Sequence, residues 1–183
     1  MSHLRINKVL PHWEEIHTII FDFDGVFTNN KVWVDQNGCE FVQCDRGDGL
    51  AFDILRRFVR LKNWALDFFI LSTETNPVVT TRARKLQIPC VQGVPNKAEY
   101  LQSYLSKNEK TKDGLVYVGN DLNDMAAMQM AGFAIAPSDA HPIIIQHADF
   151  IFPQEGGDSF VRAIVERLVG LENMSKDEIL RLL

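Results

Sequence analysis

Apolar residues in this chain fall in short runs that stop abruptly on polar or glycine-containing segments. Ile19-Ile20-Phe21 is a β-branched and aromatic run that predicts a buried strand, and it ends at Asp22-Phe23-Asp24-Gly25. Asp67 to Leu71 (DFFIL) and Leu115 to Val118 repeat the pattern, ending at Ser72-Thr73-Glu74-Thr75 and Gly119-Asn120-Asp121. Phe133 to Ala136 and Asp149 to Phe152 predict two further short strands, and Gln87 to Val91 contains another, interrupted by Pro89. Helical spacing appears between these runs. Leu50, Ile54, Leu55 and Phe58 predict a helix over Leu50 to Leu61, Asn76-Pro77 opens a second, and Asn96 caps a third that runs to about Lys107. A helix carrying Met125, Met128 and Met130 follows Asp121, a helical turn lies near Pro142 to Gln146, and Asp158 to Val169 is amphipathic. Ser175 to Leu182 predicts a last short helix with a Ser-x-x-Glu capping box.

One segment breaks the strand–helix alternation. Lys31 to Val34 and Glu40 to Gln43 flank Asp35-Gln36-Asn37-Gly38, and Asn-Gly between alternating apolar residues signals a β-hairpin. The expected architecture is therefore α/β: a doubly wound, mostly parallel sheet, with a hairpin flap at about 29–45 and a helical tail at about 171–183. It is one domain over residues 1–183, without a large inserted cap. In such sheets ligands bind beyond the carboxyl ends of the strands. That rule places Asp22, Asp24, Ser72, Asn120, Asp121 and Asp124 around one site.

Composition narrows the partners. The 183 residues are 46% hydrophobic and 23% charged, ordinary for a globular protein, and the net charge of −5 gives no basic field for nucleic acid or an acidic membrane. The apolar runs are strand-sized and too short to span a bilayer. Cys39, Cys44 and Cys90 lack metal-type spacing, as expected of a reduced, cytoplasmic chain. The N-terminal segment, with Glu14 and Glu15 and no sustained apolar core, does not read as a signal peptide. Without one, Arg46-Gly47-Asp48 is an accidental match to a cell-adhesion tripeptide.

Two carboxylates at one strand end repel each other, and a shared proton or a metal ion relieves the repulsion. Aspartates with an asparagine supply the hard oxygen ligands that suit Mg²⁺. Ser72 adds a hydroxyl donor, and Lys97 adds a compact cation at a helix start where backbone N–H groups favour anions. The anion that fits is a phosphoryl group. One aspartate can attack phosphorus, and the other can protonate the leaving oxygen and then activate water. Taken singly, these residues have plainer readings: a turn for Ser72, a solvated first-turn lysine for Lys97, and helix caps for Asn120 and Asp121.

Together, Asp22-x-Asp24-Gly25-Val26-x-Thr28, Ser72, Lys97 and Gly119-Asn120-Asp121-x-x-Asp124 resemble the four motifs of the haloacid dehalogenase superfamily of phosphatases. Arg46-Gly47-Asp48-Gly49, Gln92-Gly93-x-x-Asn96-Lys97, Ala140-His141-Pro142 and Gly156-Gly157 before Val161-Arg162 resemble a capless branch of it. That branch includes phosphatases for 3-deoxy-D-manno-octulosonate 8-phosphate and for 9-phosphates of sialic acids and related nonulosonates. The similarity runs from about Thr18 to Val169. It implies Asp22 as nucleophile and metal ligand, and Asp24 as acid/base that gives its backbone carbonyl to Mg²⁺. Ser72 and Lys97 would hold the transferring phosphoryl, and Asn120, Asp121 and Asp124 would serve the metal directly or through its ligands. Arg46, Asp48, Thr73, Glu74 and Thr28 are the candidate substrate-binding residues, Thr28 either lining the site or packing the flap base. The resemblance also implies a homotetramer in which a neighbouring subunit closes the site.

The chain departs from the branch in three places. Asn120 stands where an aspartate is usual, which removes one charge from the metal site. Ser72-Thr73-Glu74 replaces the octulosonate enzymes' Thr-Gly-Arg, and an acidic Glu74 looks more like the nonulosonate members. Asp158-Ser159-Phe160 replaces a basic-Gly-Ala sequence. The expected activity is hydrolysis of a phosphorylated 2-keto-3-deoxy sugar acid, with a nonulosonate 9-phosphate favoured. The alternatives are a non-catalytic phosphatase-like oligomerisation module and a phosphatase for another small ester.

Overall fold

The computed structural model describes residues 7–183, so the first six residues of the N-terminal segment assessed above lie outside the described residues. In chain order the strands are β1 (Thr18–Phe21), β2 (Thr28–Val34), β3 (Glu40–Cys44), β4 (Asp67–Leu71), β5 (Cys90–Val91), β6 (Leu115–Val118), β7 (Phe133–Ala136) and β8 (Phe150–Ile151). The helices are α1 (Gly47–Lys62), α2 (Val78–Leu86), α3 (Lys97–Lys107), α4 (Met125–Met130), α5 (Pro142–His147), α6 (Phe160–Val169) and α7 (Lys176–Leu182). Six strands form one parallel sheet in the order β5-β4-β1-β6-β7-β8, which puts β1 beside both β4 and β6. The doubly wound expectation holds.

Period-two alternation divides the sheet between two cores. Ile19 and Phe21 of β1, Ile70 of β4, and Val116 and Val118 of β6 face a cluster with α1, α2, α6 and Leu182 of α7. Ile20, Phe69, Leu71, Leu115 and Tyr117 face a second cluster with Leu101 and Leu105 of α3, Met128 of α4 and Ile144 of α5. The central strand is buried on both faces, and each large apolar side chain there contributes roughly 1.5–3 kcal/mol of transfer free energy. Such a strand end has little freedom to move, which matters for the aspartates that follow it.

The flap is the second sheet, β2 antiparallel to β3, with Val32 opposite Val42, Trp33 opposite Phe41 and Val34 opposite Glu40. Its turn uses Asn37-Gly38 as a tight turn followed by a left-handed glycine: Gly38 has φ of 80°, while the Asp35 carboxylate accepts the Asn37 and Cys39 N–H groups at 2.8 Å. A helix of residues 171–173 and α7 form the C-terminal tail, and Ser175 with Glu178 forms the expected capping box.

Several boundaries differ from the sequence pattern, each for a local reason. α1 starts at Gly47, three residues before Leu50, and Leu50 is an exposed side chain outside the core. The strand sought in Gln87 to Val91 shrinks to two residues, because Gln87 adopts φ of 56° to close α2 and Pro89 has no N–H to give a ladder. α6 begins only at Phe160, after Ser159 at φ of 57°. Among the described residues no helix is long and apolar enough to cross a membrane.

Candidate active site

The carboxyl ends of β1, β4 and β6 meet a pocket of about 340 Å³ lined by Asp22, Asp24, Asn30, Ser72, Thr73, Asn120, Asp121 and Asn123. Six of these eight were candidates from the sequence. Asn30 and Asn123 were not; Asn30, at φ of 59° in β2, has no motif around it, and its place follows only from where the flap leaves the body.

Asp22 follows β1 directly, and its N–H donates to Val118 O of β6 at 2.9 Å, which extends the sheet by one rung. Its carboxylate is buried and accepts from Lys97 Nζ at 2.7 Å. The same ammonium lies 2.7 Å from Asp124 Oδ1, which also accepts from the Tyr117 hydroxyl at 2.8 Å. Asp124 Oδ2 takes the N–H groups of Asn120 (2.9 Å) and Asp121 (3.3 Å). Both oxygens of Asp124 are therefore engaged with the protein, so it supports the site from behind and fixes the loop after β6. Gly119 makes room for it, since a Cβ there would sit 2.6 Å from Asp124 Cγ.

Lys97 opens α3 directly after the cap Asn96, whose side chain accepts from Glu99 N at 3.1 Å. Burial alone would lower the Lys97 pKa, but Asp22 and Asp124 more than offset it and hold the ammonium above its ordinary value. Burial, reinforced by Asp124 and opposed by Lys97, pushes the Asp22 carboxyl up. Asp24, half-buried, is also raised, by burial first and then by Glu74, against Lys97 and with a smaller push from Glu40. Two raised carboxyls facing one pocket mark a place that a cation would relieve.

The donor set fits such a cation. Asn120 is buried, and its Oδ1 has no hydrogen-bond partner. Together with Asp22 and Asp24 it offers hard oxygen donors, a set suited to Mg²⁺, which keeps several waters and few protein ligands. Among the described residues no cluster of three His, Cys, Asp or Glu side chains is placed to hold a metal. Gly25 is required beside it: its φ is +77°, and a Cβ there would lie 1.8 Å from Asn120 Nδ2.

Ser72 is buried; its N–H donates to Val91 O, and its Oγ accepts from Glu74 N at 3.1 Å. That leaves the hydroxyl proton for a ligand oxygen. Thr73 lines the pocket near Asn123. Glu74 lies beside the pocket without lining it: its charge reaches Asp24, and its Oε1 accepts the N–H groups of Thr75 and Asn76. Thr28 packs the flap base: fully buried, its Oγ1 accepts from Gly25 N and Asn30 N, both at 3.2 Å. Gly156 and Gly157 press on the same loop, where a Cβ would meet Gly25 O at 2.1 Å and Thr28 C at 2.5 Å respectively.

Arg46 and Asp48 do not line the pocket. Arg46 is exposed at the start of α1. Asp48 is 1% exposed with neither oxygen hydrogen-bonded, and burial, with the Asp45 charge, pushes its pKa up to about 7 against Arg82 and Arg162. His141, also singled out by its motif, caps α5 and donates its N–H to Asn120 O at 2.8 Å, so it braces the loop after β6.

Comparison with known proteins places this geometry. Residues 72–164 match the family model of haloacid dehalogenase-like hydrolases. The 3-deoxy-D-manno-octulosonate 8-phosphate phosphatase of Salmonella typhi is 29% identical over 162 residues, covering 88% of this chain and 83% of that protein. A crystal structure from Streptomyces avermitilis, provisionally assigned to the HAD family hydrolases, is 37% identical with a TM-score of 0.83, covering 92% of this chain and 95% of that one. The octulosonate 8-phosphate phosphatase of Moraxella catarrhalis, solved with magnesium, phosphate and KDO, has a TM-score of 0.80 at 24% identity, covering 93% and 95% of the two chains.

Proposed function

The chain belongs to the haloacid dehalogenase-like hydrolases and is a phosphatase, and from that premise we propose that it is a Mg²⁺-dependent phosphomonoesterase for a phosphorylated 2-keto-3-deoxy sugar acid. The observation that carries the reading is the buried ladder Asp22–Lys97–Asp124–Tyr117 beneath a pocket walled by Asp24, Ser72 and Asn120. Asp22, held at a rigid strand end, attacks phosphorus; the P–O bond to the sugar breaks as the bond to Asp22 Oδ forms. Asp24, its carboxyl kept high by burial and by Glu74, gives its proton to the departing oxygen. It then takes a proton from the water that cleaves the aspartyl-phosphate, which restores Asp22 and releases inorganic phosphate. Ser72 and Lys97 hold the non-bridging oxygens through the transfer. Asp22, the Asp24 main chain and Asn120 would hold Mg²⁺, with Asp121 beside them, and the bound ion neutralises charge on the phosphoryl group and Asp22.

The fit to a sugar acid rests on the octulosonate phosphatases among the relatives, and the acidic Glu74 beside the pocket favours a nonulosonate 9-phosphate within that class. The unit of function in this reading is a cytoplasmic homotetramer. Its support is the flap, where Trp33 is 73% and Phe41 57% exposed on adjacent strands, an apolar pair suited to a neighbouring subunit. Purified protein with Mg²⁺ and a panel of octulosonate 8-phosphate, nonulosonate 9-phosphates and hexose 6-phosphates tests the assignment. The expected result is a kcat/KM for one sugar-acid phosphate about 100-fold above the hexose phosphates. Hydrolysis confined to hexose phosphates overturns the substrate class, and no phosphate release from any ester overturns the activity.

A further inference from the structure

An isolated two-stranded hairpin is marginal in water, so something must hold this one in place. Its root is fixed by Arg82, which donates to Asp45 O, and by the Ser159 hydroxyl on the Asp45 carboxylate. Those bonds fix where the hairpin leaves the body. Glu40 lies at the opposite end, one residue beyond the turn of residues 35–39. Alternation puts Glu40 on the same face as Val42, which packs against the core, and turns Phe41 and Trp33 the other way.

From that face Glu40 Oε2 accepts from Asn76 Nδ2 at 3.0 Å. Asn76 uses its remaining groups on the body: Oδ1 accepts from Val78 N at the start of α2 (3.0 Å), and its N–H donates to Glu74 Oε1 (2.7 Å). Glu74 N in turn donates to Ser72 Oγ. Three consecutive hydrogen bonds thus join the far end of the flap to the phosphoryl-binding serine. The flap also contributes Asn30 to the pocket wall, so its angle sets the shape of the mouth.

We propose that Asn76 is a latch that clasps the flap to the loop carrying Ser72 and Glu74, with Glu40 as a positioning residue on the flap side. The inference goes beyond the phosphatase reading, and its test needs no substrate. Amide hydrogen exchange on the full-length protein compares the wild type with Asn76→Asp, Glu40→Ala, Glu40→Gln and the double variant Asn76→Asp/Glu40→Ala. Asn76→Asp keeps the acceptor for Val78 N and the main-chain donor to Glu74, but it loses the donor to Glu40 and sets a carboxylate against it. Exchange in residues 31–44 is expected to rise about tenfold in Asn76→Asp and in Glu40→Ala, and to stay within about twofold in Glu40→Gln, which retains the acceptor. The double variant should exchange no faster than the single ones, because they break the same bond. Unchanged flap exchange in both single variants overturns the latch. So does an equal rise in α2 and the central strands, or a double variant whose effect is the product of the two.

Discussion

On the pocket floor Lys97 is 2% exposed and holds two carboxylates at 2.7 Å each, whereas on the flap Trp33 is 73% exposed and touches mainly its own hairpin. Both are residues that a folding chain usually treats the other way, lysine outside and tryptophan inside. The floor tolerates a buried cation because Asp22 and Asp124 both pair with it, and Tyr117 in turn holds Asp124. Groups fixed in that way need no reorganisation when charge shifts during phosphoryl transfer. The exposed indole lies on the flap face turned away from Val42 and the core. The two regions differ in constraint: the charged groups of the floor are buried and paired with one another, and the aromatic pair of the flap is open to solvent.

The sharpest way to break this division is at Asp22. Asp22→Asn keeps the shape and the strand-end hydrogen bond but removes the nucleophile of the proposed mechanism, so turnover of every phosphate ester should fall at least about 10⁴-fold. Thermal unfolding should change little, because Lys97 keeps Asp124 as a partner. Residual turnover close to wild type would mean that the floor is not the reacting centre. Lys97→Met goes further structurally. It strands Asp22 and Asp124 as buried, unpaired acids, and denaturant unfolding should register a loss of about 3–5 kcal/mol. A loss below about 1 kcal/mol, the size expected of a surface pair, would erase the contrast between floor and flap.

The sequence carried the floor more fully than the flap, and the reason is physical. Strand runs such as DFFIL and the residues at their ends repeat a pattern that has one solution in a doubly wound sheet, so Asp22, Ser72 and Asn120 converge as expected. Lys97 was legible as a helix start, but its double grip on Asp22 and Asp124 was not, because that contact joins residues 75 and 27 positions apart. The motif offers Asp124 either as a metal ligand or as support, and in the fold both its oxygens are taken by Lys97, Tyr117 and the Asn120 and Asp121 N–H groups. Arg46 and Asp48 follow a motif yet sit outside the pocket, since a motif records that residues belong together and not which way they face. Asn30 carries no pattern, and Asn76 was legible only as the start of a helix; the place of one in the pocket wall and the bond of the other to Glu40 follow from where the hairpin sits.

Asp48 lies between the two regions, at the root of the flap, and offers a test that involves neither a metal nor a substrate. Its pKa rises from the ordinary 3.8 to about 7 in the folded protein. The folded state therefore binds the proton more tightly than the unfolded chain. The stability tied to that proton is complete below about pH 4 and is lost as pH climbs through 7. Asp48→Asn removes the titration. Its stability should be flatter between pH 4 and 7, and at pH 8 it should exceed the wild type by roughly 2–4 kcal/mol in denaturant unfolding. Parallel curves for the two proteins would show that Arg82 and Arg162 already neutralise the carboxylate and that the flap root is as well paired as the floor.

The smallest expected effect belongs to the flap's outer face. Trp33→Ser changes no group that lines the pocket, so hydrolysis of a minimal ester such as p-nitrophenyl phosphate should stay within about twofold per subunit. If that face docks on a neighbour, losing a large aromatic anchor costs about 1–3 kcal/mol at each contact. Light scattering should then show smaller species at micromolar protein, and KM for the sugar-acid phosphate should rise about tenfold with kcat nearly constant, the pattern of lost uniform binding. A variant that keeps its mass and its KM would instead leave the indole as plain exposed surface. Closure of the pocket would then fall to the hairpin's own inward face, the one that carries Glu40.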